Sequence, residues 1–226
     1  MYPVVLRLEG IRCLVIGGGQ VGERKARRLV EEKAKVCLIS REISQWFSEA
    51  VKSGDVEWIA REYHPRFLQG ISIVFAATSD KELNSLIVRD ALNLGLWCNS
   101  ATNPQEGNLT LPAIFQKGKL VISVSTGGAS PALASLIRDE ISDQFKNGWE
   151  EMLECLDRLR KTVQELRQQD DDRENQSLFR EIAVAVFHAL KNEADLNVVK
   201  NLIRDILSKN LSSEEIGGIK QVLNQC

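Results

Sequence analysis

The stretch Ile11–Gly22, IRCLVIGGGQVG, is the part of the sequence that decides the fold. A compact apolar run, Ile11–Ile16, comes directly before Gly17, Gly19 and Gly22, which form the pattern G-x-G-x-x-G, and a helical pattern follows. In a strand–helix–strand unit the first glycine makes the tight turn, the second lets the backbone approach a pyrophosphate, and the third packs helix against strand. Because the N–H groups at a helix N-terminus favour an anion, the stretch predicts a dinucleotide site.

Strand and helix patterns alternate from this stretch to residue 100. The predicted strands are Ile11–Ile16, Lys35–Ser40, Val56–Ala60, Ile71–Thr78 and Leu96–Ser100. The predicted helices between them are Val21–Glu32, Ile43–Lys52 and Lys81–Leu94. This alternation favours an α/β fold built on a Rossmann-type parallel sheet.

The pattern changes after the loop at residues 103–108. Two strands, Leu109–Phe115 and Leu120–Ser125, are predicted to form a hairpin, and Ser130 and Pro131 begin a helix that runs to about Phe145. From Trp149 onward the apolar spacing is helical. The predicted helices there are Met152–Leu166, Leu178–Leu190, Leu196–Leu207 and a short one after a capping box of Ser212 and Glu215, with a polar break at 168–173.

Several residues are candidates for holding the two halves of a dinucleotide. The residues expected to cradle the pyrophosphate are Gly17, Gly18, Gly19, Gln20 and Val21. Ser40, Arg41 and Glu42 follow the second strand, where an acid normally binds the ribose of NAD. Glu42 is the only acid and lies slightly late, and Ser40 and Arg41 suit the 2′-phosphate of NADP, so NAD and NADP both stay open. Thr78 is expected at the carboxyl end of the fourth strand, where parallel sheets bind ligands.

A second anion-binding pattern lies at Ser123–Pro131, SVSTGGASP. Two glycines and several hydroxyl residues come directly before a capped helix, so backbone N–H groups, hydroxyls and a helix dipole converge. A ligand rich in carboxylates would suit this loop, although a tight strand-to-helix turn has the same composition. The candidate substrate-binding residues are Ser125, Gly127, Gly128 and Ser130.

Composition excludes several classes of protein. Lys and Arg total 29 against 31 Asp and Glu, a net charge of -2, whereas nucleic-acid binders carry a basic excess. No apolar run reaches the ~18 residues of a transmembrane helix, and the N-terminus lacks the features of a signal peptide. Five scattered cysteines and two histidines do not suggest a metal site. We therefore expect a cytoplasmic protein with no nucleic-acid partner, no membrane partner and no bound metal.

Four segments carry a resemblance to a known family. In order, they are VIGGGQVGERKARRL (Val15–Leu29), FAATSDKELN (Phe75–Asn84), NLTLPA (Asn108–Ala113) and STGGASPALASLIRDEI (Ser125–Ile141). Together they resemble the precorrin-2 dehydrogenase / sirohydrochlorin ferrochelatase family, which is also the N-terminal module of siroheme synthase. The resemblance covers about residues 1–150, and beyond them it implies only a helical domain.

The resemblance implies both an architecture and a reaction. It implies a Rossmann domain over 1–112, a dimerisation segment over 113–148 and a helical domain over 149–226, in a homodimer. It implies the NAD-dependent oxidation of precorrin-2 to sirohydrochlorin, with Fe2+ as a further substrate where siroheme is made. The hydride chemistry belongs to the cofactor, which is consistent with a chain that shows no catalytic triad. The residues implied at the reacting centre are Asn99, Thr102 and Thr126, and Ser125 would border the substrate with them.

Thr102 departs from the family pattern, which has an aspartate at the corresponding place. A threonine cannot serve as a carboxylate base near neutral pH. Three explanations are open. Oxidation could need only substrate positioning and a proton acceptor from solvent, or another acid, such as Glu106 or Asp80, could take the place of the aspartate. Alternatively, one of the two activities could be lost. The alternative function is a sensor or carrier that binds a dinucleotide or tetrapyrrole without turnover.

Overall fold

The chain divides into two compact units. The computed structural model describes residues 1–167 and 172–225, and its units are Met1–Leu111 and Pro112–Cys226. This division lies next to the predicted boundary between residues 112 and 113. The further division at residue 148 stays a prediction.

The first unit contains a five-stranded parallel sheet. Its strands are β1 (Arg12–Ile16), β2 (Lys35–Ile39), β3 (Val56–Ala60), β4 (Ile73–Ala76) and β5 (Trp97–Ser100). Its helices are α1 (Gln20–Glu31), α2 (Gln45–Ser53) and α3 (Lys81–Asn93), with a short 3₁₀ helix at Pro65–Leu68. The strand order is β3-β2-β1-β4-β5, so the winding direction reverses between β1 and β4, the point at which such sheets bind ligands. The predicted Rossmann-type α/β fold is confirmed.

Both faces of this sheet are covered. Val15 and Phe75 belong to an apolar cluster that includes residues of α1 and α2, and Leu14 and Val74 belong to one that includes residues of α3. This explains why β1 and β4 read as nearly continuous apolar runs rather than alternating ones.

The second unit begins with an antiparallel hairpin and continues with helices. The hairpin strands are β6 (Ala113–Lys117) and β7 (Leu120–Val124). The helices are α4 (Pro131–Ser142), α5 (Trp149–Leu166), α6 (Asp172–Lys191), α7 (Leu196–Asn210) and α8 (Ser213–Gln225). The predicted strand Leu109–Phe115 starts four residues later, at Ala113, because Pro112 has no N–H to donate to a ladder. The predicted break at 168–173 falls partly on 168–171, which lie outside the described residues.

One apolar cluster holds α5, α6, α7 and α8 together. An aromatic run enters it from the hairpin: Phe115, Phe145, Trp149 and Phe187 follow one another with ring centroids 6.4, 4.9 and 5.9 Å apart. Such tilted and edge-to-face pairs add to the stability given by burial alone.

A polar junction joins the ends of these helices. Arg167 at the end of α5 donates from Nε to Glu215 of α8 at 2.9 Å, from Nη1 to Asn175 of α6 at 2.8 Å and from Nη2 to the carbonyl of Asn210 at 3.1 Å. Glu215 also accepts from the amide of Ser212 at 2.7 Å, which confirms the predicted capping box. Within the described residues, no helix is long and apolar enough to cross a membrane.

Candidate functional site

The glycine loop between β1 and α1 is built as the motif predicts. Gly17 has φ +118°, and a Cβ there would overlap the carbonyl oxygen of Ala77 after β4. A Cβ on Gly22 would overlap the carbonyl oxygen of Gly17, so the helix packs directly on the turn. A Cβ on Gly19, at the N-cap of α1, would meet nothing within 4 Å. Among the glycines of this loop, Gly19 is the one beside open space, and it lies at the end of the helix where N–H groups have no partner within the helix.

The segment after β2 closes over the same loop. The amide of Gly18 donates to Ser40 Oγ at 2.9 Å, and that hydroxyl donates to the carbonyl of Glu42 at 2.5 Å. A Cβ on Gly18 would lie 2.7 Å from Ser40 Oγ, so this glycine is also required. Arg41 forms an ion pair with Glu62 at 3.0 Å, and both side chains are exposed. Ser40 therefore shapes the loop, while Arg41 and Glu42 lie at the surface beside it.

Asn84 of α3 organises the loops that follow β4 and β5. Its Oδ1 accepts from the backbone N–H of Thr78 at 3.1 Å and from the Thr78 hydroxyl at 2.8 Å. Its Nδ2 donates to the carbonyl of Thr78 at 3.0 Å and to Thr102 Oγ1 at 3.2 Å. Asn84 is fully buried. One side chain thus connects two of the predicted site residues, Thr78 and Thr102.

Asn99 on β5 lies on the opposite side of the sheet from this network. Its Nδ2 donates to the carbonyl of Leu109 at 2.9 Å, and its Oδ1 accepts from Lys25 of α1 at 2.7 Å. Burial, helped by the nearby Arg24 charge, lowers the pKa of Lys25 to about 8. Lys25 and Asn99 therefore form a polar pair between α1 and β5.

The loop before α4 lies in the second unit and is described by itself. Ser130 caps α4 by accepting from the amide of Leu133 at 3.2 Å. Thr126 Oγ1 is 3.0 Å from both the amide and the carbonyl of Ser130, so it closes the turn. Ser125 Oγ accepts from the amide of Gly127 at 3.3 Å, and Gly127 and its successor Gly128 have φ +66° and +87°. The predicted loop is therefore a tight turn that leads directly into the capped helix.

Sequence reasoning missed Asn84 and Lys25 as site residues. Both lie within segments that carried the resemblance, but their partners are separated from them along the chain, with Asn99 lying 74 residues after Lys25. The feature that could have identified them is that each is a polar residue at a helix position expected to face the sheet. Among the described residues, no cluster of three or more potential metal ligands occurs.

Two family models match the chain in succession. Residues 4–113 match a model described as putative NAD(P)-binding, and residues 117–144 match one described as sirohaem biosynthesis protein central. The first contains the glycine loop and the second contains the loop before α4. The chain therefore carries an NAD(P)-binding region followed by the sirohaem central region.

Similar proteins agree with these matches. Siroheme synthase 1 of Aeromonas salmonicida is 33% identical over 139 residues, which cover 62% of this chain and 30% of the relative. Siroheme synthase 2 of the same species is 32% identical over 171 residues, covering 76% of this chain and 35% of the relative. The chain thus spans about a third of the length of the curated relatives it matches.

A solved structure shows the same fold along the whole chain. It is described as SirC, precorrin-2 dehydrogenase, and it is 23% identical with a TM-score of 0.69, covering all of both chains. The resemblance predicted from the four motifs is confirmed: over residues 4–144 the chain matches an NAD(P)-binding model and then the sirohaem central model, and it is similar to siroheme synthases.

Proposed function

We propose that this chain oxidises precorrin-2 to sirohydrochlorin with NAD+. The observation that carries the proposal is the glycine loop, which is packed against Ala77 and open at Gly19, in a chain that also contains the sirohaem central region. The fold that it shares with a protein described as a precorrin-2 dehydrogenase supports the same reaction.

The proposed cofactor residues divide by their position along the sheet. The pyrophosphate would be held by the backbone of Gly17, Gly18, Gly19, Gln20 and Val21. The adenosine half would lie on the β2 side with Ser40–Glu42, and the other half toward Thr78 on β4. When bound, NAD+ supplies the hydride acceptor, and the chain supplies binding and orientation.

The choice of NAD over NADP rests on the segment after β2. The hydroxyl of Ser40 is already bonded to Gly18 and to the carbonyl of Glu42, and Arg41 pairs with Glu62. A 2′-phosphate would have to compete with Glu62 for Arg41, and because this exposed pair is worth about 0–1 kcal/mol, the expected preference for NAD is no more than about fivefold. We propose NAD as the preferred cofactor, and a lower Kd for NADP+ than for NAD+ would contradict that preference.

Asn99 and Thr102 of the first unit are proposed to border the substrate, and the loop before α4 in the second unit is proposed, by itself, to bind carboxylates. That loop offers small residues and backbone N–H groups at Ser125, Thr126, Gly127, Gly128 and Ser130, which suit the carboxylates of a tetrapyrrole. Thr102 is held by Asn84 and would position the substrate by a hydrogen bond rather than as a base.

A homodimer and a cytoplasmic location complete the proposal. On α4, Leu133, Leu136 and Ile137 are 49%, 66% and 38% exposed, a run of apolar side chains that a second copy could cover. The location rests on the sequence alone, and recovery of the protein with membranes would contradict it.

An anaerobic assay tests the reaction. Precorrin-2 and NAD+ should give reduced nicotinamide and sirohydrochlorin in equal amounts, followed by their absorption spectra. Added Fe2+ tests metal insertion in the same sample. Tetrapyrrole binding without turnover would overturn the proposal in favour of a sensor or carrier.

The Gly19→Asp variant should bind NAD+ poorly. Its side chain enters open space and its charge repels the pyrophosphate, so the Kd for NAD+ should rise at least about 100-fold. Gly217→Asp, on α8 and also without a neighbour within 4 Å, adds the same charge and should bind NAD+ normally.

A further inference from the structure

Lys25 is a half-buried cation that the chain does not neutralise. Its Nζ lies 2.7 Å from the neutral Asn99 Oδ1 and 5.5 Å from the centre of the Phe75 ring. Lys25 takes part in none of the ion pairs found between described residues, such as Arg27–Glu23 on the same helix. Arg24 of the same helix, whose charge lowers the pKa of Lys25, is also a cation.

Such an arrangement costs stability in the free chain, and an anionic ligand would offset that cost. An ammonium group has three N–H donors, and the one acceptor bonded to it in the described residues is Asn99. Buried cations are normally paired with an anion, because the loss of water is otherwise uncompensated. Perturbed lysines of this kind concentrate at functional sites.

The position of Lys25 indicates which part of a ligand it would meet. It lies five residues after Gln20, so it is beyond the first turn of α1, where the N–H groups suited to a pyrophosphate lie. Its partners Phe75 and Asn99 belong to β4 and β5, whereas Ser40–Glu42 follow β2 on the other side of β1. A cation on the β4–β5 side faces the part of the crevice away from the adenosine half.

We propose that Lys25, together with Asn99, binds a carboxylate of the second ligand, a polycarboxylate tetrapyrrole, and not a phosphate of the dinucleotide. The proposal deepens the proposed function, on which its choice of ligand rests. Asn99 Oδ1 orients the ammonium group, and the remaining donors of Nζ bind the carboxylate as charge-assisted hydrogen bonds.

The test compares Lys25→Met with Lys25→Arg and a matched control. Methionine keeps the unbranched stem beside Phe75 without the charge, and arginine keeps the charge. Lys52→Met, on the exposed side of α2, removes the same charge away from the site. The probes are NAD+ and uroporphyrin, an air-stable octacarboxylate tetrapyrrole, each titrated by fluorescence against the full chain.

The expected result is selective. Lys25→Met should raise the Kd for uroporphyrin about 10- to 100-fold, the loss of one or two charge-assisted hydrogen bonds, while its Kd for NAD+ stays within about twofold. Lys52→Met should change neither. An equal loss of NAD+ affinity, an unchanged uroporphyrin Kd, or a wild-type chain that binds NAD+ but no uroporphyrin would each overturn the proposal.

A pH profile separates ligand binding from a structural role. The ammonium form of Lys25 is present at pH 7 and is lost as the pH rises through its pKa of about 8. Wild-type affinity for uroporphyrin should therefore fall above pH 8, the Lys25→Arg variant should keep its affinity to higher pH, and Lys25→Met should show no fall in this range. If the chain binds uroporphyrin in this way but does not oxidise precorrin-2, the proposed function fails and this site stands.

Discussion

At the scale of single residues, Gly19 and Gly22, three and six residues after the end of β1, should respond differently to the same added methyl group. In Gly22→Ala the Cβ would overlap a backbone oxygen of Gly17, which cannot move without disturbing the turn. The strain should outweigh the gain in helix propensity of about 1 kcal/mol and lower the free energy of unfolding by about 1–3 kcal/mol. Urea unfolding followed by circular dichroism measures it.

Gly19→Ala is the control for that prediction. Its Cβ enters open space, so stability should change by less than about 1 kcal/mol, the cost of a poorer N-cap. NAD+ binding should weaken, since the methyl group occupies the space in which a phosphate would lie. Equal stability losses in the two variants would contradict the packing derived for Gly22.

Asn84→Ala should be costly because it removes four hydrogen bonds at once. The backbone amide and carbonyl of Thr78 would lose their side-chain partner, and a backbone group left unsatisfied away from water costs about 1–3 kcal/mol. We expect a loss of at least about 2 kcal/mol in the free energy of unfolding. Asn93→Ala, exposed at the end of the same helix, should be nearly neutral.

The glycine roles could be predicted because they depend on spacing within one turn. The roles of Asn84 and Lys25 could not, since they depend on which strands lie side by side. The order β1-β4-β5 brings Lys25 to Asn99, and no local pattern contains that information.

At the scale of helices and strands, the junction at Arg167 makes the helical part sensitive to acid. Hydrogen bonds from the hydroxyl and amide of Ser212, and then from Arg167, hold the pKa of Glu215 at about 2. A pKa lowered by folding gives stability that is present above the ordinary value of 4.5 and is lost as the pH falls toward 2. Because Glu215 is partly exposed, we expect a contribution of about 1–2 kcal/mol.

Glu215→Gln should reveal this contribution. At pH 6 the variant should be less stable than the wild type by about 1–2 kcal/mol, and the difference should shrink as the pH falls from 5 to 2. Thermal unfolding followed at 222 nm measures both proteins. A difference that stays constant over this pH range would show that the carboxylate charge does not stabilise the junction.

Element types were largely predictable from periodicity, and the errors have physical causes. The first unit has five strands and three helices, each at a predicted place. Its strands could be recognised because strands of a parallel sheet are apolar on both faces. The predicted strand Leu109–Phe115 begins too early because its apolar run extends across Pro112, which cannot donate a ladder hydrogen bond. Its first residue, Leu109, instead donates its amide to the carbonyl of Cys98, beside β5.

At the scale of the whole molecule, the exposed leucines of α4 test the proposed dimer. Leu136→Glu would place a charge in an apolar contact between copies, so sedimentation should show a shift from dimer to monomer. Leu94→Glu, at a leucine that is 60% exposed in the first unit, should leave the association unchanged. A wild-type chain that sediments as a monomer would contradict the proposal.

Beyond residue 150 the sequence predicted helices but no role for them. Their spacing shows which side chains are buried together, and it contains no motif that identifies a ligand. The two units could be separated from the sequence because the periodicity changes at the loop of residues 103–108.

The aromatic run that enters the helical cluster also gives the chain an optical reporter. Trp149 is 9% exposed and is the single tryptophan of the second unit, while Trp46, Trp58 and Trp97 all belong to the first. Replacing those three by phenylalanine would leave emission from Trp149 alone, at the short wavelengths of an indole shielded from water. The wavelength of maximum emission would then report the unfolding of the second unit without tryptophan fluorescence from the first.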